Sequence, residues 1–132
     1  MIYIVYISGK YRHWKADGTL NEYKMRQEEL YEEFWSALVV ECGHFPIPPI
    51  KITSSIADVL AEDDWIERDL DLIDILPPSR TLMLMRPEWD AEPASYGAIR
   101  ENERATDREI KIIHAKVGAE EVRKYLTGLL EE

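Results

Sequence analysis

Cys42 has no second cysteine to pair with in the 132-residue chain, so neither an internal disulfide framework nor a multi-cysteine metal site can form. The three histidines, His13, His44 and His114, are dispersed and lack a close His or Cys partner, which sets aside a zinc site. Positive charge is scarce as well. Sixteen Lys and Arg stand against 26 Asp and Glu, and a net charge of -10 repels a phosphate polymer. Nucleic-acid binding is thereby disfavoured, whereas one small phosphorylated ligand in a local cationic pocket is not. The opening apolar run, Ile2 to Ile7, has no basic segment before it and stops at Ser8-Gly9-Lys10. That is far short of the ~20 residues of a membrane span, and it predicts neither signal peptide nor anchor. No membrane partner is expected, and a reducing, cytoplasmic setting fits. The six glycines form no Gly-x-Gly-x-x-Gly, Gly9-Lys10 lacks the flanking residues of a P-loop, and Ser8 lacks a Gly-x-Ser-x-Gly elbow. Triphosphatase, dinucleotide-dehydrogenase and serine-hydrolase chemistry fall with those motifs, and no cofactor or metal is expected.

What the chain does have is enough apolar material, 45%, and enough charge, 32%, for one soluble, self-folding domain over residues 1 to 132. Residues 2 to 7 are all β-branched or aromatic and predict a strand buried on both faces. From about Leu20 to Cys42, Tyr23, Leu30, Phe34, Leu38 and Cys42 recur near helical spacing, and Gly43 stands in the stop position. The three prolines between His44 and Ile52 confine any strand there to a short or edge position. Ser54 or Ser55 is expected to cap a short helix over Ile56 to Leu60, and Asp63-Asp64 to open another running to about Leu76. Thr81 to Met85 is a compact apolar run with the pattern of a central strand. Ser95 to Thr106 predicts a helix, Ile110 to His114 a strand, and Ala119 to Leu130 a closing helix. Strands alternating with helices imply an α/β, three-layer, flavodoxin-like or Rossmann-like parallel sheet of four or five strands with the first strand in the middle.

In such a sheet ligands collect beyond the carboxyl ends of the strands, where the winding reverses. The exits concerned are Ser8-Gly9-Lys10-Tyr11-Arg12 and Arg86-Pro87-Glu88-Trp89-Asp90, the second leading to the helix that starts at Ser95. Asp69 follows Trp65 by four residues, which puts both on one side of a helix. Glu101 lies on the helix that begins at the presumed site, where Gly97 admits close backbone approach and Ser95 and the free amides can hold a hydroxyl or phosphate. Lys10, Arg12 and Arg86 are the candidate phosphate ligands.

These residues together resemble the nucleoside 2-deoxyribosyltransferase-like family. The opening Ile2-Tyr3-Ile4-Val5-Tyr6-Ile7-Ser8-Gly9-Lys10-Tyr11 looks like that family's first strand and loop, with Lys10 at its usual proline position. Trp65-x-x-x-Asp69 with Asp74 looks like its acidic helix, Pro87-x-Trp89 like the loop after the central strand, and Ser95-x-Gly97-Ala98-x-x-Glu101 like the segment bearing its nucleophilic glutamate. The resemblance implies cleavage of the N-glycosidic bond of a nucleoside or nucleoside 5′-monophosphate. Glu101 would then meet the electron-poor sugar, Asp69 would supply a proton or hold a sugar hydroxyl, Tyr11 would orient Glu101, and Trp89 would stack on the base or close the pocket. The stretch from Trp89 to Ser95 is longer than the family's spacing, which makes Glu92 a rival nucleophile. No asparagine follows Asn102, whereas the family's transferases borrow one from a neighbouring subunit near the C-terminus. Hydrolysis is thereby favoured over base exchange. A non-catalytic nucleotide sensor or sequestering protein is the alternative. A homodimer or larger homo-oligomer is expected from the resemblance and from the aromatics on the long first helix.

Overall fold

The computed structural model describes residues 1–131. Four strands, β1 (Ile4–Ser8), β2 (Phe45–Ile47), β3 (Thr81–Met85) and β4 (Lys111–His114), form one all-parallel sheet in the order β2-β1-β3-β4. The helices are α1 (Glu22–Glu41), α2 (Pro49–Thr53), α3 (Glu62–Ile75), α4 (Tyr96–Asp107) and α5 (Ala119–Gly128). The expected three-layer α/β fold with a central first strand is the one observed. No helix among the described residues is long and apolar enough to cross a membrane.

Burial follows from strand position. β1 and β3 are flanked on both sides, and every residue from Val5 to Ser8 and from Thr81 to Met85 is buried. β2 and β4 are edges and stay partly exposed. Side-chain alternation then sorts the core into two halves. Val5, Ile7, Leu82, Leu84 and Ile113 pack under α1 and α5, against Trp35, Leu38, Val39, Val122 and Leu126. Tyr6, Met83 and Met85 face the other way, under α3 and α4, against Ile66, Leu70, Ile73, Ala98 and Ala105.

Local signals explain most boundaries. Asn21 caps α1 by accepting the Lys24 N–H at 3.0 Å, and Ser95 caps α4 by accepting from Ala98 N at 3.1 Å. Gly43, at φ +90°, takes the left-handed turn that ends α1. The three-proline segment yields a three-residue edge strand. It then goes directly into α2 and a 3-10 turn over Ser54–Val59, where neither Ser54 nor Ser55 acts as the expected cap. α2 is capped from across the fold, where Glu32 of α1 accepts the Lys51 N–H at 2.7 Å.

The loops at the carboxyl end of the sheet are tied together by Arg86, fully buried just past β3. Its Nη1 donates to Glu28 Oε1 at 2.9 Å, to the Glu28 carbonyl at 3.2 Å and to Glu88 Oε1 at 3.0 Å, and its Nη2 to the Lys10 carbonyl at 2.7 Å. The second Glu28 oxygen lies 2.6 Å from His13 Nε2. The guanidinium passes so close under the β1 exit that a Cβ at Gly9 would stand 2.2 Å from Arg86 Nε. Gly9→Ala is therefore expected to lower stability by about 1–3 kcal/mol through displacement of the buried cation. Urea denaturation reads this directly, and an unchanged midpoint would contradict the packing.

Candidate active site at the strand ends

The sheet reverses its winding between β1 and β3, and a cleft opens beyond their carboxyl ends. It holds about 660 Å³ of space not filled by protein atoms, its open mouth included, of which about 90 Å³ is accessible to the centre of a water molecule. Residues from five places converge on it. The β1 exit contributes Gly9, Tyr11 and Arg12, α2 contributes Pro49, Ile50 and Thr53, the turn after it Ala57, α3 contributes Glu62, Trp65, Ile66 and Asp69, and α4 contributes Gly97, Ala98 and Glu101.

Glu101 is buried, and both of its oxygens are held. Tyr6 Oη donates to Oε2, and Ser8 Oγ donates to Oε1 at 2.9 Å. Tyr6 and Ser8 are two apart on β1 and so project from the same face of the strand toward α4. Burial raises the Glu101 carboxyl most, the Asp69 charge raises it further, and the two hydroxyl donors pull it part of the way back, leaving it at about 8. Burial also lifts Asp69, to about 6. The Tyr6 phenol is raised well above its ordinary value, by burial first and by Glu101 next, and remains a donor. Burial and their mutual repulsion thus hold both carboxyls of the Asp69–Glu101 pair above the ordinary carboxylate range.

A third carboxyl, Glu32, is fully buried behind the α2 wall, where burial raises it to about 7. One of its oxygens accepts from Lys51 N, and the other has no hydrogen-bond partner. Its charge acts on Glu101, Asp69 and Tyr6.

The structure brings together Glu101, Asp69, Tyr11, Arg12, Gly9 and Gly97, and separates the rest of the residues expected at the site. Tyr11 lines the cleft, but the phenol on Glu101 belongs to Tyr6. Ser8 supports Glu101 rather than facing a ligand, and Ser95 is occupied as the α4 cap. Lys10 is buried with its ammonium on the Pro93 carbonyl at 2.6 Å, and Arg86 is consumed by the loop contacts, so neither is offered to a phosphate. Trp89 lies outside the cleft, half-buried with its ring 6.1 Å from that of His114. The aromatic wall is instead Trp65, whose indole N–H is fixed on the Ala57 carbonyl at 2.8 Å. Glu92 is exposed and lines nothing here, which removes it as a rival to Glu101. Asp74 is paired with Arg104 at 2.6 Å, away from the cleft. Sequence reasoning missed Tyr6, although a phenol inside an otherwise aliphatic buried strand needs an acceptor. It also missed Glu32, which carried no signal of its own among seven other charged residues of α1.

Comparison with family models, with curated proteins and with solved structures finds no match for this chain. The functional reading therefore rests on the cleft itself.

The folded chain keeps on Glu101 a proton that the unfolded chain loses near 4.5, so this residue's effect on stability has a defined sign. Stability falls as pH rises from about 4.5 to about 8 and is level beyond. Glu101→Gln removes that dependence. The variant is expected to be about as stable as the parent at pH 4 and more stable by about 2–5 kcal/mol at pH 8. Thermal melts across this range test it, and a stability difference that does not grow with pH would contradict the buried, proton-bearing carboxyl.

Proposed function

We propose that the chain cleaves the N-glycosidic bond of a nucleoside or nucleoside 5′-monophosphate by hydrolysis, with Glu101 as nucleophile and Asp69 as its acid and base partner. The observation that carries this reading is the pair of carboxyls, both raised above their ordinary range, lining a cleft with Trp65 and Tyr11 at the rim of the sheet.

The reaction needs one carboxylate and one acid. The Glu101 carboxylate bonds to the anomeric carbon as the bond to the base nitrogen breaks, and Asp69 in its acid form protonates the departing base. Water then splits the glutamyl-sugar ester while the Asp69 carboxylate takes the water's proton, which restores Glu101 as a carboxylate. Tyr6 and Ser8 hold the Glu101 oxygens in place and do not compete for the sugar. Arg12 is the one cation among the described lining residues and is the ligand available to a 5′-phosphate. Exposed Tyr23, Leu30, Tyr31 and Phe34 on α1 support assembly as a homo-oligomer. The sensor reading is favoured by one feature: Glu101, the residue that must be ionised to attack, is buried and held above its ordinary range.

Purified protein incubated with a panel of nucleosides and 5′-monophosphates, with free base followed by chromatography, decides between them. Release is expected from the parent and from Glu92→Ala alike, to be lost in Glu101→Ala, and to fall about 10²–10⁴-fold in Asp69→Asn. The kcat/KM profile is expected to be bell-shaped, with limbs near the values of the pair, about 6 and about 8. Release that survives Glu101→Ala would remove the nucleophile from this scheme, and tight binding without release across the panel would establish the sensor.

A further inference from the structure

The cleft carries an imbalance of charge that a neutral nucleobase does not use. Glu62, Asp69 and Glu101 bring three carboxyls to its lining against the single cation of Arg12, and Tyr11 and Trp65 bring aromatic rings. The two other basic residues at the strand exits are spent on the fold, Lys10 on the Pro93 carbonyl and Arg86 on Glu28, Glu88 and the Lys10 carbonyl. Behind the α2 wall, Glu32 adds a further carboxyl that is fully buried, with one oxygen lacking any hydrogen-bond partner. No group of three or more His, Cys, Asp or Glu among the described residues is arranged to hold a metal ion, so this acidity has no ion to serve within the chain.

Acidic groups beside aromatic rings are the chemistry that recognises an organic cation. From this lining, and resting on the glycosidase reading above, we propose that the cleft takes a nucleoside whose base bears a permanent positive charge, an N-alkylated purine or a pyridinium. Such a base gains attraction from Asp69 and Glu62 and from the rings of Trp65 and Tyr11. A neutral base gains only the stacking.

The same charge completes the chemistry. A cation beside Asp69 and Glu101 favours the ionised Glu101 carboxylate, an effect that a neutral base does not supply. The Glu101 carboxylate then bonds to the anomeric carbon, and the electron pair of the broken bond stays on the ring nitrogen and cancels the positive charge. The base leaves neutral and needs no acid. Water splits the ester, with its proton taken by the Asp69 carboxylate, so that cationic nucleoside and water become sugar, neutral base and one proton.

Calorimetric titration of Glu101→Gln, which binds without consuming the ligand, tests this with two shape-matched pairs. They are 7-methylguanosine against guanosine, in mildly acidic buffer where the methylated base keeps its charge, and nicotinamide riboside against its neutral dihydro form. The cationic member of each pair is expected to bind about tenfold more tightly or better. The ratio is expected to shrink in high salt and in a Glu62→Gln background, which alters an exposed residue of the cleft mouth. Equal or weaker binding of the cationic members, or no binding of any of the four, overturns the proposal. Base release by the parent protein, measured beside the titrations, separates the two readings. Release from neutral nucleosides without cation preference sinks only the cationic base, and cation-selective binding with no release sinks only the glycosidase.

Discussion

One buried guanidinium holds the working end of this fold together. Arg86 leaves the central strand β3 and bonds to α1 through Glu28, to the β1 exit through the Lys10 carbonyl and to its own loop through Glu88. An uncompensated charge there would be prohibitive, and the pairing with Glu28 at 2.9 Å together with two carbonyls makes it tolerable. The position of the cleft follows from it. Gly9, Tyr11 and Arg12 line the opening because the loop that carries them is pulled down onto the cation, and Gly9 is glycine because no Cβ fits between the two.

Above that anchor, electrostatics works in the opposite sense. The fold pairs Arg86 with two carboxylates and two carbonyls and leaves the carboxyls of the cleft under-compensated, so that Glu101, Asp69 and Glu32 all hold protons more tightly than free acids do. Two hydroxyls from one face of β1 fix the Glu101 carboxyl without supplying positive charge. The result is a buried carboxyl that is oriented by two hydroxyls and held above its ordinary range, a state that an arriving charge can change. Its raised position costs stability as pH rises, because the unfolded chain ionises this carboxyl more readily.

The residues themselves made most of the fold legible. Hydrophobic runs at 2–7 and 81–85, helical spacing from Leu20 to Cys42, and the acidic start at Asp63-Asp64 identify β1, β3, α1 and α3 to within about two residues, because buried strands and long amphipathic helices impose their periods on sequence. The region from Pro49 to Leu60 was harder to read. Its helix is capped by Glu32, some twenty residues earlier in the chain, and no local pattern encodes that. The site divides in the same way. Trp65 and Asp69 share a helix face and were visible as a pair, whereas Trp89 follows the right strand yet turns toward His114.

Sequence alone determined the parallel α/β order, the central place of β1 and β3, and the rim where the cleft opens, since each depends on burial and on the direction of winding. Only the tertiary structure decided which side chains reach that rim. Whether Lys10 and Arg86 bind a ligand or bind the protein depends on which carbonyls and carboxylates stand within 3 Å of them. Which tyrosine touches Glu101 is likewise a matter of strand register and helix approach. Contacts between residues far apart in the chain have no period of their own, so their partners become readable only when the layers are packed.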